Sequence, residues 1–142
     1  MQTVDHLLKS KGTAVFSVAP KDSVLLAIEV MATHHVGALL VMEGESLLGI
    51  ISERDYARKV ILNHRSSHDT PVGDIMSAPP VTVAPEETVH RCMEIMTQHR
   101  FRHLPVVKSG RVVGMLSIGD LVKAVIEEQN RRIEQLEHYI AG

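Results

Sequence analysis

The hydrophobic residues of this chain follow one order of patterns, and that order occurs twice. Each copy opens with a short apolar stretch, residues 15–18 or 81–83, which predicts a strand ended by the proline at position 20 or 85. Apolar side chains then recur at three- and four-residue spacing, which predicts a helix in each copy. These positions are Val24, Ala27, Ile28 and Met31 in the first copy and Val89, Cys92, Met93 and Met96 in the second.

Two β-rich runs follow each helix and predict a hairpin with a glycine-bearing turn. A second helix is expected to start near Asp55 or Asp120, because an aspartate just before a helix can accept the free amides of the first turn. The repeating unit is therefore βαββα. The hairpin runs cover residues 38–42 and 47–51 in the first copy, and residues 104–107 and 112–116 in the second.

The two copies align without gaps at an offset of 65 residues. Residues 16–56 pair with residues 81–121, and twelve of these 41 positions are identical. Because one copy cannot bury both faces of its strands, the two are expected to pack sheet against sheet around a pseudo-twofold axis, with equivalent clefts between them. The predicted fold class is mixed α/β (α+β), in a single module spanning residues 1–142.

Short sequence strings carry a resemblance to a known family. Residues 49–55 and 114–120 both read Gly-x-x-Ser-x-x-Asp, residues 74–77 read Asp-Ile-Met-Ser, and residues 101–106 read Phe-Arg-His-Leu-Pro-Val. Together, and in their order along the chain, these strings resemble the signatures of a CBS-domain pair, also called a Bateman module, over roughly residues 9–125. The resemblance implies CBS repeats at 9–62 and 80–125, a linker with a short helix at 63–79, and a C-terminal helix extension at 126–142.

This resemblance implies a non-catalytic regulatory module that binds an adenosine-containing ligand in the clefts and senses energy or redox state. AMP, ADP, ATP, NAD(H) and S-adenosylmethionine are the candidate ligands. A function of another class is also open, namely a ligand-free dimeric adaptor for an enzyme or transporter, because fold alone does not fix function. An empty cleft would distinguish the adaptor from the sensor.

Paired aspartates suit the ribose of such a ligand. An ionised carboxylate offers two acceptor oxygens to the two hydroxyl donors of a ribose diol, which assigns Asp55 and Asp120 to this role. Helix capping is the alternative, and the two roles can coexist. Ser52 and Ser117, three residues earlier, are expected either to face the ligand phosphate or to hydrogen-bond the turn itself.

Basic residues near the start of each second helix suit a phosphate. Arg58 and Lys123 lie at equivalent positions one turn into the helix, whereas Arg54 and Lys59 occur only in the first copy. The two sites are therefore expected to differ in phosphate-facing charge. A solvated helix face is the alternative for these cations.

In members of the family the adenine lies between apolar residues of both copies, and the resemblance carries this contact to eight positions. They are Phe16, Val36, Gly37 and Ala38 for one cleft, and Val81, Phe101, Arg102 and His103 for the other. Lys11 and Ser77 are assigned to the cleft edges. Taken singly, the apolar residues of this set could equally be ordinary core.

Composition limits the classes of partner and the cell compartment that are expected for this protein. The formal net charge of -2 gives no general attraction for nucleic acid or anionic membranes. The single cysteine, Cys92, excludes an intramolecular disulfide, and the start of the chain lacks a signal-peptide pattern. No apolar run approaches the roughly 20 residues of a membrane-spanning helix. A cytoplasmic protein with neither nucleic acid nor membrane as a partner is expected.

Metal binding and catalysis are not expected. His64 with His68, and His99 with His103, have the four-residue spacing of a metal-binding helix face. The first pair lies in a polar linker, the second is predicted to straddle a helix end and a strand, and no cysteine or carboxylate joins either pair. Cys92 falls on the core stripe of a helix, where a thiol usually packs rather than reacts.

The chain ends in a helix with an apolar seam. A seam shorter than three heptads is marginal as a free coiled coil, so it is expected to pack on the partner subunit of a homodimer. Packing on its own domain is the alternative. The seam positions, at alternating four- and three-residue steps, are Val122, Ile126, Gln129, Ile133, Leu136 and Ile140.

Overall fold

The computed structural model describes residues 2–141, and over these residues the chain is a mixed α+β protein. The helices are α1 (Val4–Lys11), α2 (Val24–His34), α3 (Glu53–Tyr56), α4 (Val72–Ile75), α5 (Val89–His99) and α6 (Ile118–Ala141), with a π-helical turn (Ala57–Ile61) after α3. The strands are β1 (Ser17–Val18), β2 (Ala38–Glu43), β3 (Ser46–Ser52), β4 (His103–Lys108) and β5 (Arg111–Ser117). The predicted fold class and the order of elements in the first copy are confirmed.

The first helices of the two copies, α2 and α5, begin and end at equivalent residues. The hydroxyls of Ser23 and Thr88 cap them by accepting amide N–H groups of the first turn, each at 3.1 Å. At the other ends, His35 and Arg100 adopt left-handed backbone conformations, with φ of 54° and 59°. The repeat in the sequence is therefore a repeat in local structure.

The opening strand differs between the copies. In the first copy β1 pairs in parallel with β2, and the N–H of Leu40 donates to the carbonyl of Phe16 at 3.0 Å. In the second copy the strand predicted at 81–83 is reduced to an isolated parallel bridge between Val83 and Val106. Pro105 stands where the first copy has Leu40, and it has no N–H to donate to the ladder.

The second helix of each copy begins two residues before the aspartate expected to start it, at Glu53 and at Ile118. Ser52 is the N-cap of α3: its hydroxyl accepts the N–H of Asp55 while the Asp55 carboxylate accepts the N–H of Ser52. This reciprocal capping box satisfies two amides at once, so the serine takes the cap and the aspartate lies inside the first turn.

The chain divides into two compact units. The first unit comprises residues 14–82 with the hairpin turn 109–112, and the second comprises the described residues 2–13, 83–108 and 113–141. The core of the first unit is formed by Val18, Val24, Ala27, Met31, Leu39, Val41, Ile51, Val60, Val72 and Ile75. Buried residues of the second unit include Val4, Leu7, Leu8, Cys92, Met96, Leu104, Leu116 and Leu121.

A short helix completes each unit, and it comes from the segment that precedes the other copy in the sequence. Helix α1, ahead of the first copy, packs in the second unit, whereas α4, ahead of the second copy, packs in the first unit. Two backbone hydrogen bonds hold each helix, and their acceptor carbonyls are equivalent in the two copies. For α1, the N–H of Val4 donates to Glu87 and that of Asp5 to Pro85, both at 2.8 Å. For α4, the N–H of Val72 donates to Asp22 at 2.8 Å and that of Gly73 to Pro20 at 2.9 Å.

Helix α6 buries Leu121 and Ala124 and leaves its apolar seam exposed. The exposed fraction along the seam rises from 41% at Val122 to 82% at Ile140. No part of residues 2–141 covers the seam, so in this structure α6 does not pack its seam against its own domain. Within the described range, no helix has the length and apolar character needed to span a membrane.

Candidate functional site

In the first unit, the carboxylate of Asp55 is enclosed by donors. Its Oδ2 accepts the N–H and the hydroxyl of Ser52, both at 3.0 Å. Its Oδ1 accepts the hydroxyl of Ser77 at 3.1 Å and lies 3.1 Å from the ammonium of Lys59. Only 11% of the side chain is exposed. Both oxygens are occupied, and the buried charge is compensated by its neighbours.

In the second unit, Asp120 has the same capping bonds but a different lysine. The N–H of Ser117 donates to Oδ2 at 2.8 Å, and the N–H of Asp120 donates to the Ser117 hydroxyl at 3.2 Å. The ammonium of Lys11, at the end of α1, also donates to Oδ2, and it donates to the carbonyl of Met115 at 2.6 Å. Oδ1 takes no hydrogen bond from the described residues, and 24% of the side chain is exposed.

The charge of Asp120 is held by its partners. Burial works to raise the pKa of this carboxyl, but hydrogen bonds from Lys11 and Ser117 outweigh it and leave the pKa below its usual range. Asp120 is therefore ionised at neutral pH and keeps one oxygen open. It can accept hydrogen bonds from a ligand without first losing a protein partner.

The two sites differ in the lysine that contacts each aspartate. Lys59, present only in the first copy, is engaged by Asp55 and donates to the carbonyl of Ile75 at 2.9 Å. The second copy instead receives Lys11 from α1, outside the copy itself. Ser77 and Lys11, assigned to cleft edges from the sequence, are the residues that contact Asp55 and Asp120.

The first glycine of each motif makes room for these partners. A Cβ on Gly49 would lie 2.6 Å from the carbonyl oxygen of Ser77, and a Cβ on Gly114 would lie 2.7 Å from Cδ2 of Leu8. Leu8 is one turn before Lys11 on α1. The missing side chains therefore allow the segment after α4 to approach Asp55 and allow α1 to approach Asp120.

His103 opens β4 beside the pair formed by Lys11 and Asp120. Burial lowers the pKa of His103, the nearby positive charge of Lys11 lowers it further, and Asp120 works in the opposite direction. The imidazole is thus neutral at pH 7, with one ring nitrogen as a donor and the other as an acceptor. The carbonyl of Arg102 accepts the N–H of Ile118 at 2.8 Å, which fixes the start of β4 to the start of α6.

A groove of about 730 Å³ lies between α1 and α6, with Asp120 in its wall. Apart from the pair formed by Lys11 and Asp120, its charged residues are Lys123, Arg131 and Glu127, together with the titratable His6. The side chain of Lys123 is exposed and has no ion-pair or hydrogen-bond partner in residues 2–141. The groove can therefore accommodate a small polar ligand and offers it an excess of one positive charge.

The two phenylalanines that were assigned to adenine each stack on a histidine. The rings of Phe16 and His34 lie 3.8 Å apart, and those of Phe101 and His99 lie 5.3 Å apart, measured between centroids. Both pairs are stacked, within 14° and 12° of parallel. His34 and His99 are equivalent in the internal alignment, but Phe16 aligns with Val81 and Phe101 with Val36, so the repeat did not predict these pairs.

The other predicted residues take varied positions. Ala38 is 1% exposed and belongs to the core of β2, so its side chain is not on a surface. Arg58 and Arg102 are exposed. Partly buried positions are Val36, Gly37, Ser52, Arg54, Ser77, Val81 and Ser117.

Sequence reasoning did not find several residues of the groove. These are Gln2, His6 and Ser10 on the side of α1, and Glu127, Asn130 and Arg131 on α6. The α6 residues share one face with Asp120 at helical spacing, which is a signal that could have been read. The α1 residues lie about a hundred positions from Asp120 and belong to no motif, so no local signal was present.

The structure also gives the arrangement of the potential metal ligands and of the single thiol. Within residues 2–141, no group of three or more His, Cys, Asp or Glu side chains is arranged to hold a metal ion. Cys92 is fully buried, and this burial, with the nearby Glu87 charge, raises the pKa of its thiol to about 11. The thiolate form is therefore scarce at neutral pH.

Comparison with known proteins agrees with this architecture. A family model described as the CBS domain matches the chain twice, at residues 12–62 and 72–127. A mitochondrial CBS domain-containing protein of Arabidopsis thaliana is 44% identical over 149 aligned residues, which cover 99% of this chain and 72% of the relative. Two longer Arabidopsis relatives are 37% identical, and only 19% of each is covered.

Solved structures give the same result. A protein with CBS domains from Burkholderia ambifaria is 47% identical with a TM-score of 0.86, covering 90% of this chain and 96% of that one. A CBS domain pair solved in complex with 5′-methylthioadenosine and S-adenosyl-L-methionine has a TM-score of 0.79 at 22% identity, covering 90% and 98%. This second likeness is one of fold. The chain therefore belongs to the CBS domain family and carries two CBS domains in tandem.

Proposed function

We propose that this protein is a non-catalytic regulatory module that binds an adenosine-containing ligand through Asp120. The observation that carries the proposal is the open Oδ1 of an ionised, partly exposed carboxylate. Such an oxygen accepts the hydroxyl donors of ribose through charge-assisted hydrogen bonds. The adenosyl ligands of a CBS domain pair with the same fold support this ligand class.

Asp55 is proposed as the weaker site. A ribose at Asp55 would have to displace Ser77 or Lys59 from a carboxylate that is 11% exposed. Displacement leaves a buried polar group without its partner, which costs about 1–3 kcal/mol. We therefore propose one tightly bound ligand per chain, at Asp120.

Within the adenosine class, the groove favours a ligand with an anionic 5′ substituent. Lys11 and Lys123 flank Asp120, and Arg131 lies about 16 Å further along the axis of α6. AMP, ADP, ATP or NAD(H) are proposed ahead of S-adenosylmethionine, since its positive sulfonium would lie near the two lysines. Neutral His103 is proposed as a hydrogen-bond partner for the adenine edge. A module with this preference would report energy or redox state to an enzyme or transporter.

Calorimetric titration with AMP tests the assignment of Asp120. Asp120→Asn removes the charge but keeps the size, and it should weaken binding by at least about tenfold, because hydrogen bonds to a charged group contribute about 1.5–3 kcal/mol. Asp55→Asn is the matched control, and its affinity should stay within about threefold of the parent. Equal AMP affinity for the parent and Asp120→Asn, with both variants folded by circular dichroism, would refute the assignment.

A ligand panel tests the charge preference. AMP should bind at least about tenfold more tightly than adenosine, and S-adenosylmethionine more weakly than neutral 5′-methylthioadenosine. Lys123→Met should bring AMP down to the level of adenosine. The control is Lys9→Met. Lys9 lies outside the groove with 77% of its side chain exposed, so this change should leave the affinity for AMP unaltered. If no adenosine ligand binds, the sensor function is wrong and the adaptor function takes its place.

A further inference from the structure

Lys59 takes the last hydrogen-bonding position on the carboxylate of Asp55. The N–H and the hydroxyl of Ser52 donate to Oδ2, and the hydroxyl of Ser77 donates to Oδ1. A carboxylate has two oxygens with about four lone-pair sites in all, so these donors leave one site on Oδ1. The ammonium of Lys59 lies 3.1 Å from Oδ1 and fills that site. With Lys59 in place, Asp55 can accept no further donor.

The same side chain separates Asp55 from solvent. The side chain of Lys59 is 42% exposed, whereas that of Asp55 is only 11% exposed. Lys59 therefore extends from the surface of the protein to Oδ1. Its ammonium also donates to the carbonyl of Ile75 at 2.9 Å, which holds the side chain in this position. Shortening Lys59 would free a lone pair of Oδ1 and expose it to water.

The second copy has the same motif without a lysine at this position. Ala124 aligns with Lys59 at the offset of 65 residues, and an alanine is too short to reach a carboxylate. Lys11, which contacts Asp120, comes from outside the copy and donates to Oδ2, so it leaves Oδ1 free. Ser77 alone would not close the first site, because one hydroxyl fills only one of the two lone-pair sites of an oxygen. The residue that separates a closed from an open oxygen is therefore Lys59.

We infer that Lys59 closes the first site and limits the chain to one tightly bound adenosine ligand. The inference rests on the proposed function, in which an open carboxylate oxygen binds ribose. The sequence alone placed Lys59 among the cations that face a phosphate. Its role is the opposite one, since its ammonium is held by the carboxylate that ribose needs. Arg58, which is exposed and equivalent to Lys123, remains in the first copy to attract the phosphate.

Calorimetric titration with AMP counts the sites. The parent should bind one AMP per chain, with any second equivalent at least about tenfold weaker, because hydrogen bonds to charged groups must be broken to admit it. Lys59→Ala, which reproduces the residue of the second copy, should bind two equivalents with affinities within about threefold of each other. Lys59→Met keeps the apolar stem and removes only the ammonium, so it should also bind two.

Three variants are controls for this gain of a site. Lys59→Arg keeps a charged donor and should bind one AMP per chain. Lys21→Ala removes another exposed lysine of the same unit and should also bind one. Adding Asp55→Asn to Lys59→Ala should return the count from two to one. Circular dichroism checks that each variant is folded, and a structural role for Lys59 alone would not produce a second site.

The outcomes distinguish this inference from the proposed function. If the parent and Lys59→Ala both bind one AMP, or if the parent already binds two with similar affinity, Lys59 does not close a site and the inference is wrong. If the parent binds none, the proposed function is wrong, and the inference holds only if Lys59→Ala gains one equivalent that Asp55→Asn removes. Weaker AMP binding at Asp55 in Lys59→Ala would assign Lys59 to the phosphate and overturn the inference.

Discussion

Replacing Gly49 by alanine tests the close approach that brings Ser77 to Asp55. The added Cβ would lie 2.6 Å from the Ser77 carbonyl oxygen and 3.1 Å from Sδ of Met76. The carbonyl belongs to the backbone and cannot rotate away. The segment after α4 would have to retreat by roughly 0.5–1 Å to reach an ordinary contact. That movement strains the two bonds, of 2.8 and 3.1 Å, that Ser77 and Ile50 exchange.

The expected loss of stability follows from these contacts. Overpacking costs about 1–3 kcal/mol, and each weakened backbone bond adds up to about 1 kcal/mol. The reduced freedom of the unfolded chain returns about 0.4–1 kcal/mol. Gly49→Ala should therefore lower the free energy of unfolding by about 2–4 kcal/mol, or the melting temperature by roughly 6–12 °C for a chain of this size.

The matched control is Gly114→Ala. Its Cβ would meet the end of the Leu8 side chain at 2.7 Å, and a side chain can adjust where a backbone carbonyl cannot. A loss of about 1 kcal/mol is expected there, at the lower end of overpacking costs. Urea titrations of both variants measure the difference. If Gly49→Ala matches the parent within about 0.5 kcal/mol, or if Gly114→Ala is the more damaged variant, the close-approach argument fails.

Three further predictions concern single side chains. Cys92, with its pKa raised to about 11, should resist iodoacetamide in native buffer at pH 8, where about a thousandth is thiolate, and react in urea; fast native labelling would contradict its burial. The folded-state pKa of His103 is below 6.5, so the unfolded chain binds the proton first as pH falls. The free energy of unfolding should therefore fall between pH 7 and pH 5, and it should fall less in His103→Gln. Urea titrations at several pH values measure this, and an equal fall in the parent and in His103→Gln would contradict the prediction. Ser77→Ala removes a donor from buried Asp55 and should cost about 1–2 kcal/mol in the same assay, whereas a loss under 0.3 kcal/mol would show that the bond is not needed.

Much of each copy could be predicted because its signals are local. The three- and four-residue spacing at Val24 and Val89 predicted α2 and α5, and the glycine-bearing turns predicted both hairpins. The exact start of α3 was missed because Ser52 and Asp55 can each cap a helix, and only their reciprocal bonds decide between them. Local chemistry also explains the lost strand, since Pro105 lacks the required N–H, although periodicity alone did not reveal it.

The candidate site was only partly predictable because its second half is made of distant residues. The aspartates could be found from the repeat, and the family resemblance put Lys11 and Ser77 at the cleft edges, but no pattern in the sequence showed that these two residues contact the aspartates. Lys11 contacts Asp120 across 109 positions, and no periodic pattern links them. The open oxygen of Asp120 and the enclosed carboxylate of Asp55 are likewise properties of packing. Two motifs that match residue for residue at glycine, serine and aspartate thus differ in what surrounds them.

The placement of α1 also affects how the chain folds during synthesis and whether its two halves are stable after cleavage. Its backbone partners at Pro85 and Glu87 are synthesised about eighty residues after it. The apolar side chains of Leu7 and Leu8 therefore stay unburied until the ribosome has made the second copy. Proteolysis in the linker before α4 would separate each copy from the helix that completes it. Neither half should therefore survive as a stable fragment on its own. The two copies are expected to be inherited together, since a gene encoding only one would lack a structural part held by the other.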